Sequence, residues 1–254
     1  MKMKSLFSLV LVSASILLTS CGNDSTKNSN KLLVGTEPTF PPFEMRDSKT
    51  KEIVGFDIDL IKAIAADQGL EVEVKNLGFD ALIPALQAGS ITLAASGMSI
   101  TDKRKKAVLF SDSYINAGIS VAVNKSNKKY NSIDKLKGAS AGVQIGSTGA
   151  ARAKILLEQG VLSKVKTFEN VALAMAELVA GGVDLVINDG PVSQAYVDRQ
   201  SDVLKLLPGH LQSDSYGFAL RRGNSELVQK INAGLKNVKA NGTYKKIQEK
   251  YFGK

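Results

Sequence analysis

Apolar positions along this chain follow two periods, and the switches between them mark its elements. Leu32-Leu33-Val34-Gly35 is a short unbroken apolar run of the kind that forms a buried strand. Pro38, Pro41 and Pro42 then exclude helix, so Thr36 to Phe43 is read as an extended loop carrying Glu37 and Phe40. From Gly55 the period lengthens: Ile58, Ile61 and Ala65 share one helical stripe, with Asp57 as the expected N-cap. Glu71-Val72-Glu73-Val74-Lys75 alternates like a half-exposed strand. Asp80 opens a helix through Leu82, Ile83 and Leu86, with Pro84 close enough to its start to be tolerated. The apolar run Ile91-Thr92-Leu93-Ala94-Ala95 leads into the turn Gly97-Met98-Ser99-Ile100-Thr101-Asp102-Lys103-Arg104.

The second half echoes the first. Leu86-Gln87-Ala88-Gly89-Ser90-Ile91-Thr92-Leu93 resembles Leu178-Val179-Ala180-Gly181-Gly182-Val183-Asp184-Leu185, each a helix end, a glycine stop and a strand. Two such units imply two similar lobes. Ligands in open α/β sheets bind beyond the carboxyl ends of strands, so the paired loops are Ser96 to Arg104 and Asn188-Asp189-Gly190. Between the lobes, Ile115 to Val123 and Ser215 to Leu220 are extended and are read as crossing strands, with Gly118 and Gly217 as pivots. Leu227, Ile231, Leu235 and Val238 form the stripe of a terminal helix, Gly242 after Asn241 stops it, and a last helix runs from Tyr244 to Tyr251.

Composition adds a class and a compartment. The chain has 254 residues, 44% of them hydrophobic and none tryptophan, which suits one large or two small α/β domains. Lys2 and Lys4 precede an apolar stretch from Leu6 to Leu18 that is too short to span a bilayer, the pattern of an export signal. It ends at Leu18-Thr19-Ser20-Cys21, a lipoprotein-like processing box in which Cys21 becomes the lipidated N-terminus. Cys21 is the single cysteine, so no internal disulfide is available. Residues 21–30 are small, polar and aperiodic, as in a flexible tether. Loss of Lys2 and Lys4 with the signal lowers the formal charge from +9 to +7. The remaining lysines are scattered and no base-stacking aromatic motif accompanies them, so nucleic acid is not an expected partner.

The candidate chemistry is recognition of a small anion. The planar Arg104 guanidinium can grip a carboxylate by two parallel hydrogen bonds, Ser99 offers a hydroxyl and an N–H, and Gly97 lets a ligand approach the backbone. The same turn also fits a plain helix start, with Thr101 as N-cap and Arg104 solvated. A second anion nest is Gly142 to Gly149, running through Gln144, Ser147 and Thr148 into a helix expected from about Ala150 to Gln159. It lacks the Gly-Lys-Ser/Thr of a phosphate loop, so a small carboxylate fits better. His210 is the only histidine, which leaves no His-rich metal site and makes a Ser-His-Asp triad implausible.

Four motifs in the expected order, Gly55 to Leu60, Phe79 to Leu86, Ser99 to Arg104 and Phe110-Ser111-Asp112, resemble the polar amino-acid solute-binding proteins of bacterial ABC importers, over about residues 31–252. The resemblance implies an α/β, two-lobed periplasmic-binding-protein-like fold of type II with two crossing hinge strands, closing on a free L-amino acid. Its divisions are a signal peptide at 1–20, a tether at 21–30, lobe 1 at 31–117 and 216–254, and lobe 2 at 118–215. By position, Arg104 grips the α-carboxylate with the Ser99 N–H and Thr148, and Asp189 takes the α-ammonium with the Gly97 carbonyl and the Ser99 hydroxyl. Phe40 and Phe79 sandwich the side chain, Glu37 meets its far end, and Ser96, Met98, Gln144 and Ser147 complete the set. Gln144 stands where some relatives carry a lysine that helps select glutamine. Glu37 with a stacking Phe40 favours arginine or lysine, with glutamine next. No cofactor, metal or catalytic residue is implied. The partners are an ABC permease and ATPase and, through the lipid anchor, the envelope membrane, with the protein itself a monomer. Two rival functions use the same fold: a dehydratase acting on a carboxylate substrate, and a receptor-type amino-acid sensor domain.

Overall fold

Strand β1 (Lys31–Thr36) buries Leu32 and Val34 and pairs in parallel with β5 (Glu71–Asn76) on one side and β6 (Leu93–Ala94) on the other. The computed structural model describes residues 30–253; the export signal, Cys21 and the tether to Ser29 lie outside the described residues. After β1 the proline-rich loop folds back as a small antiparallel sheet of β2 (Thr39–Phe40), β3 (Glu44–Arg46) and β4 (Ile53–Val54). Helix α1 (Phe56–Asp67) then buries Ile58, Ile61, Ile64 and Ala65, and α2 (Phe79–Ala88) buries Leu82 and Leu86. Gly89, at φ 75°, ends α2 in the left-handed conformation that a side chain resists. The short α3 (Asp102–Lys105) and β7 (Leu109–Phe110) finish this first pass through the lobe.

The second lobe is continuous in sequence. Its sheet has the order β10-β9-β11-β8-β12. The strands are β8 (Ile115–Asn124), β9 (Ala139–Gln144), β10 (Leu162–Phe168), β11 (Leu185–Asp189) and β12 (Leu204–Leu206), and β13 (Gln212–Tyr216) also pairs with β8. Helices α4 (Thr148–Glu158), α5 (Val171–Val179) and α6 (Gly190–Arg199) connect them. The sequence echo is structural: α2, Gly89 and β6 correspond to α5, Gly181 and β11, both glycines have positive φ, and both strands join their sheets in parallel.

The chain then returns to the first lobe. β14 (Ala219–Leu220) inserts between β6 and β7 to complete the order β5-β1-β6-β14-β7. Helix α7 (Ser225–Ala240) lays Ile231, Leu235 and Val238 against α1, and α8 (Thr243–Phe252) packs beside both. At Gly234 an added Cβ would sit 2.9 Å from Ile64 Cγ2, so the α1–α7 contact is one a side chain would wedge apart. The two crossings are zipped together, because β13 runs antiparallel to β8 from Ile119↔Gln212 to Ile115↔Tyr216.

Several local expectations need correction. Asp57 does not cap α1: the helix begins at Phe56 with Gly55 in the capping position, and the Asp57 side chain points into the interior. Helix α4 begins at Thr148 rather than Ala150, since Ser147 supplies the cap by accepting from Ala150 N–H at 2.9 Å. Pro84 is the sixth residue of α2, beyond the first turn, where its missing N–H costs a hydrogen bond. The extended run from Ser215 to Leu220 breaks at Gly217 into β13 and β14. The pivot glycines have a packing reason, for an added Cβ would come within 3.0 Å of the Gln212 carbonyl at Gly118 and 2.9 Å of Ile100 at Gly217.

Candidate binding site

The stretch from Gly97 to Arg104 lies where the first sheet's parallel strands end, and hydrogen bonds tie it to the crossing. Ser99 bridges Tyr216, Ile100 N–H donates to the Ser215 carbonyl at 2.9 Å, and Gly217 N–H donates to the Met98 carbonyl at 3.2 Å. Gly97, at φ 48°, passes so close under Phe40 that a Cβ would lie 2.5 Å from its ring, so only glycine fits. Thr101 does cap α3, accepting from Arg104 N–H at 3.2 Å, yet the Arg104 side chain is buried rather than solvated. Its Nη1 donates to the Ser99 carbonyl at 2.9 Å, its Nη2 donates to the Gly146 carbonyl of the opposite lobe at 3.1 Å, and its Cζ lies 5.2 Å from the centre of the Phe79 ring. These contacts fix the guanidinium plane while leaving donors unspent. Burial lowers its pKa, and Asp189 works against that shift.

The second lobe contributes two strand ends and a helix start. Asp189 closes β11 in the N-cap position of α6 but spends no side-chain bond on the cap, because Pro191 already preorganises that first turn. Its Oδ1 is buried without a well-formed hydrogen bond, beside the Tyr216 hydroxyl, which is in the same condition. Desolvation pushes the Asp189 carboxyl up to about 7, moderated by Tyr216 and Arg104. Thr148 opens α4 and brings its Oγ1 to 3.4 Å from the Ser99 hydroxyl across the cleft. Ser147 spends its hydroxyl locally, donating to the Gln144 carbonyl at 2.8 Å as well as capping α4. Gln144 Nε2 donates to Glu37 Oε2 at 3.3 Å, a direct bond between the lobes, and Thr39 donates to the same oxygen at 2.9 Å. Glu37 is raised above the ordinary glutamate value mainly by burial.

Of the twelve residues singled out in the sequence, the structure lines one interlobe cavity with Phe40, Phe79, Gly97, Ser99, Arg104, Gln144, Ser147, Thr148 and Asp189. The lobes are shut on it, leaving about 10 Å³ of interior, roughly one water-sized sphere. Glu37 lies at its edge and faces a wider cleft of about 500 Å³, where Tyr196 of α6 donates to the Thr39 carbonyl at 2.9 Å. Ser96 stands behind the cavity, its Oγ accepting from Glu37 N–H at 3.0 Å. Met98 turns its side chain into the core with Leu82 and Leu86 and offers the site only backbone.

Four residues around the site have no ligand-site role in the sequence reading. Glu44 and Asp57 are fully buried below it, Tyr114 donates to Asp57 Oδ2 at 2.6 Å, and Tyr216 lies against Asp189. A signal existed for Asp57, an acid on the same stripe as Ile61 and Ile64, where a solvated face is not available. Glu44 had none beyond following Phe43.

A guanidinium with donors to spare and a buried carboxyl whose Oδ1 has no well-formed bond, facing one small cavity, are complementary to a zwitterion, which must find a partner for each charge when it leaves water. Comparison with known proteins agrees with that chemistry. The chain is 35% identical over 265 residues to a "Probable histidine-binding protein" of Neisseria gonorrhoeae, covering 100% of this chain and 97% of the relative. It is 34% identical over 251 residues to the arginine-binding extracellular protein ArtP of Bacillus subtilis, covering 96% of each. Among solved structures it resembles an ancestral arginine-binding protein bound to glutamine, with TM-score 0.83 and 47% identity over 89% of this chain and 99% of the other. The arginine-bound form of an ancestral arginine-binding protein gives the same TM-score and identity over 88% and 99%. The profile of the bacterial extracellular solute-binding proteins, family 3, matches residues 32–254, and the chain belongs to that family.

Proposed function

We propose that this protein captures a free L-amino acid between its lobes and presents it to an ABC permease and ATPase. The observation that carries this reading is the opposition of Arg104 and Asp189 across one cavity, each with bonding capacity unspent. Arg104 takes the α-carboxylate with the Ser99 N–H and the α4 start at Thr148. Asp189 takes the α-ammonium with the Gly97 carbonyl and the Ser99 hydroxyl. Phe40 and Phe79 flank the side chain, while Glu37 and Gln144 meet its far end.

Charge favours arginine or lysine over glutamine. Arg104 carries one positive charge against the two cavity acids Asp189 and Glu37, so a ligand of net charge +1 supplies a cation for the second acid when both are ionised, and a neutral ligand does not. Binding rather than turnover is supported by the relatives, whose names describe binding proteins. Membership in an extracellular family supports export, and Cys21 is the proposed lipid anchor to the envelope membrane, with the protein acting as a monomer. The divisions at 31–117 with 216–254 and at 118–215 are the proposed moving bodies.

A thermal-shift screen over the twenty amino acids, followed by calorimetry, tests this reading, since a ligand that binds only the folded state raises Tm. L-Arginine or L-lysine giving the largest rise, with L-glutamine next, is the expected result, and no rise with any amino acid overturns it. For the anchor, Cys21→Ala should move the protein from the membrane to the soluble fraction, and unchanged fractionation refutes it.

A further inference from the structure

Directly beneath the cavity lies a pair of carboxyl groups that the proposed binding reaction does not use. Glu44, the first residue of β3, and Asp57, the second residue of α1, are both completely buried. Glu44 Oε1 accepts from the Ser96 hydroxyl at 3.0 Å, and the same hydroxyl oxygen receives Glu37 N–H at 3.0 Å. Asp57 Oδ2 accepts from Gly97 N–H at 2.9 Å and from the Tyr114 hydroxyl at 2.6 Å. The two inner oxygens, Glu44 Oε2 and Asp57 Oδ1, have no partner. Among the described residues, no lysine, arginine or histidine forms a hydrogen bond or ion pair with either acid; the titratable groups around them include Glu37 and Asp189 on Glu44, and Tyr114, Tyr216 and Tyr244 around Asp57.

We propose that Glu44 and Asp57 are positioning residues for ligand binding: they hold Ser96 and Gly97, and through them Glu37 and the ammonium-facing backbone, and they do so as a pair that keeps one proton between them. The inference rests on the amino-acid reading of the site above. Two like charges buried together without a counterion are too costly for both to ionise, so the pair titrates as a unit. Burial raises both, Glu44 well above the glutamate range and Asp57 to about 7, and the Asp57 charge raises Glu44 further. Each hydrogen bond to the loop runs from a donor on the site side to a carboxyl below it, so Ser96 and Gly97 are pinned from beneath while their ligand-facing surfaces stay open. The Tyr216 hydroxyl lies against Asp189 and is also within the electrostatic reach of Glu44 and Asp57, so it stands between the ammonium partner and the pair.

The test uses Glu44→Gln, Glu44→Ala and Asp57→Asn. Glutamine keeps an acceptor for Ser96 and mimics protonated Glu44; alanine removes the acceptor; asparagine keeps an acceptor for Gly97 and Tyr114 but cannot ionise. With L-arginine and L-glutamine as probes at pH 7, calorimetry should find Glu44→Gln within about threefold of wild type and Glu44→Ala at least about tenfold weaker. Wild-type affinity for Glu44→Ala overturns the positioning role. A second arm needs no ligand: Tm of the free protein measured from pH 4.5 to 8.5 should fall less steeply with rising pH in Asp57→Asn than in wild type, and parallel profiles overturn the proton-holding role. Failure of the wild type to bind any amino acid overturns the amino-acid reading instead, and the Tm arm then decides the inference by itself.

Discussion

Arg104 and Gly146 stand on opposite lobes, with the guanidinium Nη2 3.1 Å from the carbonyl oxygen. The group proposed to seize the ligand carboxylate is therefore also a clasp between the lobes, and its other nitrogen is set by the Ser99 carbonyl at 2.9 Å. Arg104→Ala removes both functions. Calorimetry with L-arginine should show at least about a 100-fold loss, the cost of stranding a buried charge, while circular dichroism stays native. Retained affinity would refute the carboxylate role.

Asp189→Asn separates charge from shape. It should weaken L-arginine at least about 100-fold but leave weak carboxylates lacking the α-amine nearly unaffected. Because burial raises the wild-type carboxyl more than Tyr216 and Arg104 lower it, the same variant should also have a higher Tm at pH 8 in the absence of ligand. Equal losses for both ligand types would dismiss the ammonium assignment.

The raised acids dictate an unusual pH profile. Asp57 and Asp189 hold their protons to about 7 in the folded state, and Glu37 and Glu44 are raised as well. Unfolded carboxyls release theirs near pH 4, so between about pH 4 and 7 the folded state binds more protons than the unfolded one. Stability is therefore full below about pH 4 as far as these groups are concerned and is lost as pH rises through 7. Scanning calorimetry on ligand-free protein should find Tm about 5–10 °C higher at pH 5 than at pH 8; a profile rising with pH would contradict the burial of these groups.

Tyr196 offers a test of closure away from the ligand. Its hydroxyl joins α6 to the Thr39 carbonyl of the first lobe. Tyr196→Phe keeps the ring and removes one interlobe hydrogen bond, worth about 1 kcal/mol, so L-arginine should dissociate about fivefold faster with little change in association rate. Stopped-flow measurements with an unchanged dissociation rate would show that the bond does not restrain opening.

The candidate site is legible in the sequence as far as the lining of one cavity goes, wherever chemistry and local pattern coincide. Arg104, Ser99 and Gly97 follow a strand run, and Asp189 follows its echo. Charge and turn residues sit there at strand ends, where a two-lobed fold puts ligands. Asp57 was misassigned because an acid at a helix start ordinarily caps it, and only tertiary packing, with Gly97 N–H 2.9 Å away, shows the other use. Met98 was included by adjacency, but the alternation of an extended backbone sends its side chain into the core beside Leu82. Tyr216 was read as hinge and nothing more, since no local pattern tells that a residue more than a hundred positions downstream bridges Ser99.

The placement of β14 also sets an order of assembly. β7 has β14 as its sheet partner, and α1 waits for α7 to cover its apolar face. The first lobe thus cannot complete its sheet until residues 219–220 have been made, although its first strand begins at Lys31. The second lobe draws all the strands of its sheet from 115–216. A chain emerging N-terminus first would therefore present every strand of the second sheet before the last strand of the first, so a co-translational order of folding would run against the order of the lobes in the sequence.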